Sequence, residues 1–373
     1  MHWQRELLLL TTSIVTVFGA AATAGAPKII IDNDWGATAY ITFLLAIDAG
    51  WDVLGLVGDT ANTWSRQASL HALALLEAGN LSCIPVHKGA DLPLLNTAET
   101  FQLWEDLQGP LPWHGVFARE NATAEAAGSD PTSGDPSRVV REAFVEGYPN
   151  NTLAGEHAAA WMVEQVRKYP GEVLIYSGGA LTNVALAARL DPEFASLTKG
   201  LVVMGGYVDV WLLHTSGSLL LADINSDLNL KIDPEAAQIA LTSKFPNITL
   251  VGNGANQVFP ERDFIDNLYN DHKNVYTELF YKYYDVTLPY WDELTIFASL
   301  YPEHVTNQTS FLVSVDTAWS SPFYGNIMVY QELFAPKAQK LRYVDYVYQI
   351  NQTAFLSSLE SALKCPRCAT LCK

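Results

Sequence analysis

Lys28-Ile29-Ile30-Ile31-Asp32-Asn33-Asp34-Trp35-Gly36-Ala37-Thr38-Ala39-Tyr40 reads as the chain's first strand, a loop and the start of its first helix. Three consecutive isoleucines form a short apolar run without alternation, as in a strand buried on both faces. Two carboxylates follow at once, and alternation along the strand turns Asp32 and Asp34 to the same side. Like charges so placed are unfavourable unless a cation or hydrogen-bond donors come between them. A helical apolar period then runs over Thr38–Ala49.

The same strand-helix unit repeats downstream. Trp51–Val57 reads as a second strand and Trp64–Ala78 as a helix stopped by Gly79. Helix Ala158–Lys168, strand Glu172–Ser177, helix Leu181–Leu190 and strand Gly200–Met204 follow. Helix Pro234–Thr242, strand Ile248–Val251 and a helix opening at Asp292 complete the series. Such alternation predicts an α/β fold, an open and mostly parallel sheet with helices on both faces. Ligands of such sheets bind beyond the carboxyl ends of the strands. That rule selects Asp32, Asp34, Asp59, Asn62, Thr182, Asn183 and Met204 as the polar and lining residues of interest. The stretch from Leu111 to Asn151, rich in Gly, Ser, Pro and Asp, reads as a long surface insertion. No internal repeat or linker divides the chain, so one large domain is expected.

Composition narrows the function. Of 373 residues, 49% are hydrophobic and 17% charged, enough apolar surface for a large core. Acidic residues outnumber basic ones 40 to 22, a formal charge of −18 that repels phosphate backbones and anionic membranes. Nucleic acid is therefore not an expected partner. Residues 1–24 resemble a signal peptide: Arg5, an apolar run from Leu7 to Phe18, then Ala22-Thr23-Ala24 for cleavage. The expected organisation is thus a leader over 1–24, an α/β domain over 25–363 and a cysteine-containing tail over 364–373. Asn-x-Ser/Thr sequons at Asn80, Asn121, Asn150, Asn247, Asn307 and Asn351 agree with a secreted glycoprotein that leaves no membrane anchor behind. Cys83, Cys365, Cys368 and Cys372 suit disulfides in that oxidising setting, with pairings left open.

An Asp-x-Asp strand end also occurs in haloacid-dehalogenase phosphotransferases. Those proteins place a lysine and a second acidic pair late in the chain, whereas Gly58-Asp59 falls too early here. A longer series of motifs resembles the inosine-uridine-preferring nucleoside hydrolase family. The series is Asp32-Asn33-Asp34-Trp35-Gly36-Ala37-Thr38-Ala39, Asn62, Pro85-Val86-His87-Lys88-Gly89-Ala90-Asp91 and Trp113-His114-Gly115. It continues with Gly178-Gly179-Ala180-Leu181-Thr182-Asn183, Met204-Gly205-Gly206, Asp227-Leu228-Asn229 with Asp233-Pro234-Glu235-Ala236-Ala237, and Trp291-Asp292. All stand in the family's order, over roughly residues 27–303.

The resemblance implies hydrolysis of the N-glycosidic bond of a ribonucleoside or related riboside. It implies a calcium ion held by Asp34, the main-chain carbonyl of Thr182 and Asp292, with Asp32 a further candidate ligand. Asp34 would be the general base. Asn62, Met204, Asp227 and Asn229 would line the sugar, Asp227 standing where the family has a longer glutamate. Homo-oligomers are common in the family. Three departures stand out. The family's third and fourth aspartates are Thr38 and Ala39 here, which removes two anionic groups from the cation site. Trp291 stands where many members carry a histidine that protonates the leaving base. These losses open a second expectation, a nucleoside- or sugar-binding protein on the same fold that does not hydrolyse its ligand.

Overall fold

The computed structural model describes residues 25–36, 38–208 and 227–364. The leader, Ala37 and the tail cysteines lie outside the described residues; Cys83 is disulfide-bonded. Among the described residues, nine strands form one sheet: β1 (Lys28–Asn33), β2 (Asp52–Gly58), β3 (Val86–Lys88), β4 (Val173–Ser177), β5 (Gly200–Met204), β6 (Ile248–Val251), β7 (Val305–Val315), β8 (Ile327–Tyr330) and β9 (Arg342–Ile350). Their order is β3-β2-β1-β4-β5-β6-β9-β7-β8. All pairings from β3 to β9 in this order are parallel, and β7 and β8 add an antiparallel edge.

Full burial explains the unalternating apolar runs. Every residue of β4 and β5 is buried. Ile29 and Ile31 pack on one face of the sheet against the helices Tyr40–Asp48, Ser65–Ala78, Trp291–Leu300 and Gln352–Lys364. Ile30, Val57 and Ile175 pack on the other, against Ala158–Lys168, Thr182–Leu190 and Pro234–Thr242. Two apolar layers thus sandwich the sheet, the arrangement that parallel strands require.

Chain order locates the ligand crevice. From β1 the chain runs outward through β2 to β3, then returns to lay β4 along the other side of β1. The crevice of such a sheet lies at this reversal, beyond the carboxyl ends of β1 and β4. Asp32, Asn33 and Asp34 stand at one of those tips and Ser177, Gly178 and Gly179 at the other.

The segment 111–151 is not the simple surface insertion that its composition suggests. Val116, Phe117, Val140, Ala143 and Phe144 are buried. His71 on the Ser65–Ala78 helix anchors it: its ring lies between Glu146 and Asp130, stacked on Phe144 at 4.2 Å between centroids. Gln67, one helical turn earlier, donates to Asp130 Oδ1 at 2.7 Å and to the Val140 carbonyl at 3.1 Å. Polar residues that pair internally can be buried, and composition alone does not reveal them.

Candidate active site

The strand tips open into a cavity of about 550 Å³. Asp34, Asn62, Met204, Asp227, Asn229 and Asp292 all line it. The strand-end rule had selected Asp34, Asn62 and Met204, and the resemblance had added Asp227, Asn229 and Asp292; the fold brings all six together.

Asp34 caps β1 with only 8% of its surface exposed. The Asn62 side-chain amide donates to Asp34 Oδ2, and the Trp113 indole N–H donates to Asn62 Oδ1 at 2.7 Å. Asn62 therefore ties the β1 carboxylate to an aromatic ring on the cavity rim. Across the cavity, Asp292 lies in the first turn of the Trp291–Leu300 helix. It makes no cap hydrogen bond; its Oδ2 accepts from Asn33 Nδ2 at 3.2 Å.

The remaining residues expected to line the sugar are held by backbone. Asp227 caps the short helix Leu228–Ile232, with Oδ1 accepting from Leu230 N–H at 3.0 Å and Oδ2 from Gly206 N–H at 2.6 Å. Two such bonds fix its shorter side chain in place. Asn229 Nδ2 donates to the carbonyls of Gly178 and Met204, at 2.8 and 3.0 Å. Its own carbonyl is the group left to meet a ligand. Thr182 is buried and does not line the cavity; its hydroxyl donates to Asp233 Oδ2 at 2.7 Å. Asp32 is also fully buried under the cavity floor, with Oδ1 accepting from Asn183 Nδ2 at 3.0 Å. Asn183 Oδ1 in turn accepts from Ala90 N–H, so this asparagine ties the β1 tip to the loop after β3.

Four carboxylates converge here: Asp34 and Asp292 on the cavity wall, Asp32 and Asp59 beneath it. No lysine, arginine or histidine lines the cavity among the described residues. Burial pushes Asp292 up to about 6 and Asp32 up to about 8, against the pull of the Asn33 and Asn183 amides respectively. Burial, and then the charge of Asp292, holds Asp34 well above the ordinary carboxylate range. Burial and then Asp32 do the same to Asp59. Asp32 Oδ2, both Asp59 carboxylate oxygens and Asn33 Oδ1 are buried without a hydrogen-bond partner. Hard oxygen donors that repel one another and lack a counter-charge fit a divalent cation. Among the described residues, however, no three acidic, histidine or cysteine side chains already gather around one point.

Aromatic residues form the upper wall. Trp113, Tyr207, Tyr283, Tyr284 and Trp291 line it, whereas Tyr290 belongs to the core. The Trp291 indole N–H donates to Asn256 Oδ1 at 2.6 Å and Tyr284 Oη donates to Glu293 Oε1 at 2.9 Å, so both rings are pinned. Trp35 is wholly buried, and its indole donates to the Val57 carbonyl at 2.6 Å, which makes it packing under the loop. His87 stacks on Trp161, His114 pairs with Glu105 and His157 caps a helix, so none of the three lines the cavity. The strand-end rule singled out Asp59 without giving it a role in the chemistry, and sequence inspection passed over Asp130, which lies inside the loop-like segment and gave no signal.

Comparison with known proteins agrees with this geometry. The model of the inosine-uridine preferring nucleoside hydrolase family matches residues 29–357. An uncharacterized protein of Schizosaccharomyces pombe is 33% identical over 369 residues, covering 95% of this chain and 89% of that one. Uridine nucleosidase 1 of Arabidopsis thaliana is 30% identical over 228 residues, covering 60% of this chain and 56% of the plant chain, less than two thirds of its length. Among solved structures, the plant nucleoside hydrolase PpNRh1 superimposes with a TM-score of 0.67 at 21% identity, covering 91% of this chain and 99% of that one. An inosine-guanosine nucleoside hydrolase gives 0.66 at 22% identity, covering 90% and 98%. The chain belongs to the inosine-uridine preferring nucleoside hydrolase family. Family and fold are those of hydrolases of the nucleoside N-glycosidic bond.

Proposed function

We propose that this protein hydrolyses the N-glycosidic bond of an uncharged ribonucleoside, with Asp34 as general base and calcium at the strand tips. The convergence of Asp34 and Asp292 with Asn62, Asp227 and Asn229 around one cavity carries this reading. Asp34 and Asp292 would hold the ion, joined by the main-chain carbonyl of Thr182 and, from below, by Asp32. A bound divalent cation would supply the charge that keeps these carboxylates ionised together, and would acidify an attacking water. Asp34, oriented by Asn62, takes the proton from that water. The departing base leaves positive charge on the ribose, which the carboxylates around it stabilise. Asn62, Met204, Asp227 and Asn229 position the sugar beneath the aromatic wall.

The same charge pattern sets a limit on substrates. With acidic side chains on the wall and no basic one among the described residues, a 5′-phosphate finds no basic side chain to pair with and is repelled by the wall. Purified protein is expected to release free ribose from uridine or inosine. The 5′-monophosphates should be poorer substrates by at least about 100-fold in kcat/KM. Equal rates on nucleoside and nucleotide would place an unrecognised phosphate site in the cavity.

Thr38 and Ala39 line the cavity without charge, and they favour a second reading, a binding protein that does not turn its ligand over. Nucleoside binding without bound metal and without ribose release would establish that alternative.

We also propose that the protein is exported and glycosylated. Supporting this, all six sequon asparagines are exposed, and no helix among the described residues is long and apolar enough to cross a membrane. Treatment of the native protein with an endoglycosidase should increase its gel mobility; unchanged mobility together with a retained Met1 would refute export.

A further inference from the structure

We infer that Asp59 is a ligand of the cation at the strand tips and supplies negative charge that Thr38 and Ala39 do not. The inference rests on the reading above that a divalent cation binds there. Its ground is the register of the sheet. Asn33 of β1 pairs with Gly58 of β2, and Asp59 N–H donates to the Asn33 carbonyl at 3.2 Å. Asp59 therefore stands one residue beyond β2 as Asp34 stands one beyond β1. Neighbouring strands are roughly 4.8 Å apart, and aligned residues share a side.

The carboxylate of Asp59 is fully buried, and neither oxygen has a hydrogen-bond partner. The hydroxyls that follow in sequence are committed elsewhere: Thr60 donates to the Ala90 carbonyl at 3.0 Å, Thr63 to the Pro131 carbonyl at 2.7 Å and Ser65 to the Gly58 carbonyl at 2.7 Å. Asp59 also reaches across to the β4 tip. A Cβ on Gly179 would lie 2.4 Å from Asp59 Oδ2, so only a glycine there leaves the carboxylate its place. Gly178 does the same for Asn33 Oδ1, at 1.9 Å, and that oxygen too is unpartnered. The paired glycines thus make a cradle where oxygens from β1 and β2 meet the tip of β4. Asp32 Oδ2, buried and unpartnered, is a further oxygen of this floor. An ionised carboxylate buried without any partner is strongly unfavourable, and a cation is the counterpart that this oxygen-rich floor calls for.

Calcium titration of the full-length, chelator-treated protein by calorimetry tests the inference, with thermal melts of the metal-free forms alongside. Asp59→Asn keeps the size and removes the charge. It should raise the calcium Kd by about 30-fold, roughly 2 kcal/mol. It should also leave the metal-free Tm unchanged or raise it, because it relieves repulsion among uncompensated carboxylates. Adding Ala39→Asp to Asp59→Asn should recover much of the lost affinity. Wild-type calcium affinity in Asp59→Asn overturns the assignment, as does a variant that loses calcium only together with metal-free stability, or one that does not fold. In those cases the cation reading stands. A wild-type protein that binds no calcium overturns the cation reading itself.

Discussion

Asp34→Ala is expected to lower kcat on uridine or inosine by at least about 1,000-fold, the range of a lost general base that also helps hold a cation. In the proposed reaction Asp34 combines the two roles because of where it stands. It directly follows β1 at the sheet's reversal point, almost wholly buried, with one oxygen fixed by Asn62 and Asp292 opposite. Removing the carboxylate leaves the water without a proton acceptor and the ribose without the nearest negative charge. Ligand affinity should change far less than kcat, because Asn62, Asp227 and Asn229 remain to hold the sugar. Substrate depletion under single-turnover conditions separates the two. If Asp34→Ala retains more than a tenth of the wild-type kcat, the proton goes elsewhere and Asp34 is not the base.

His71→Leu is expected to destabilise the protein by about 3–5 kcal/mol, the usual penalty for stripping one partner from a buried ion pair. The His71 side chain is 1% exposed and lies between Glu146, itself fully buried, and Asp130. Burial works against a charge on this ring, but the hydrogen bonds and charges of Asp130 and Glu146 outweigh it and lift the imidazole from 6.5 to about 9. A raised folded-state value means stabilisation that is fully present below about 6.5 and is lost as pH rises through about 9. The gap between wild type and variant in urea unfolding should therefore be large at pH 6 and smaller at pH 10. A loss under about 1 kcal/mol at pH 6 would mean that the cluster is solvated. Because Asp130 lines the cavity, the substitution should also raise KM for the nucleoside.

The parts of the fold legible in the sequence are those in which burial leaves a simple pattern. β1, β4 and β5 are buried along nearly their whole length, and their Ile- and Val-rich runs announce them. The short β3 is only three residues and is held by its pairing with β2. β7 is exposed over its first half and buried over its second, so neither a buried run nor a clean alternation marks it. For the site, position after a strand picked out Asp34, Asn62 and Met204, and the family resemblance added Asp227, Asn229 and Asp292; all six reach the cavity. Asp32 and Thr182 occupy the expected tips, yet their side chains are buried beneath the floor. A position after a strand fixes the neighbourhood, but the side-chain direction depends on partners such as Asn183 and Asp233, which only the fold supplies. Asp130 reaches the cavity through a segment whose composition resembles any solvated loop, because its anchors are single polar contacts rather than a period.

In the proposed function the carboxylates at the strand tips hold a cation, and a nucleoside is cleaved beside it. Ribose release from uridine and inosine, by protein treated with a calcium chelator and then reloaded with calcium, tests this directly. Turnover should be lost on chelation and return on calcium addition, with ribose and free base formed in equal amounts. Turnover that is unaffected by chelation, or bound nucleoside that is never cleaved at any calcium concentration, would contradict it.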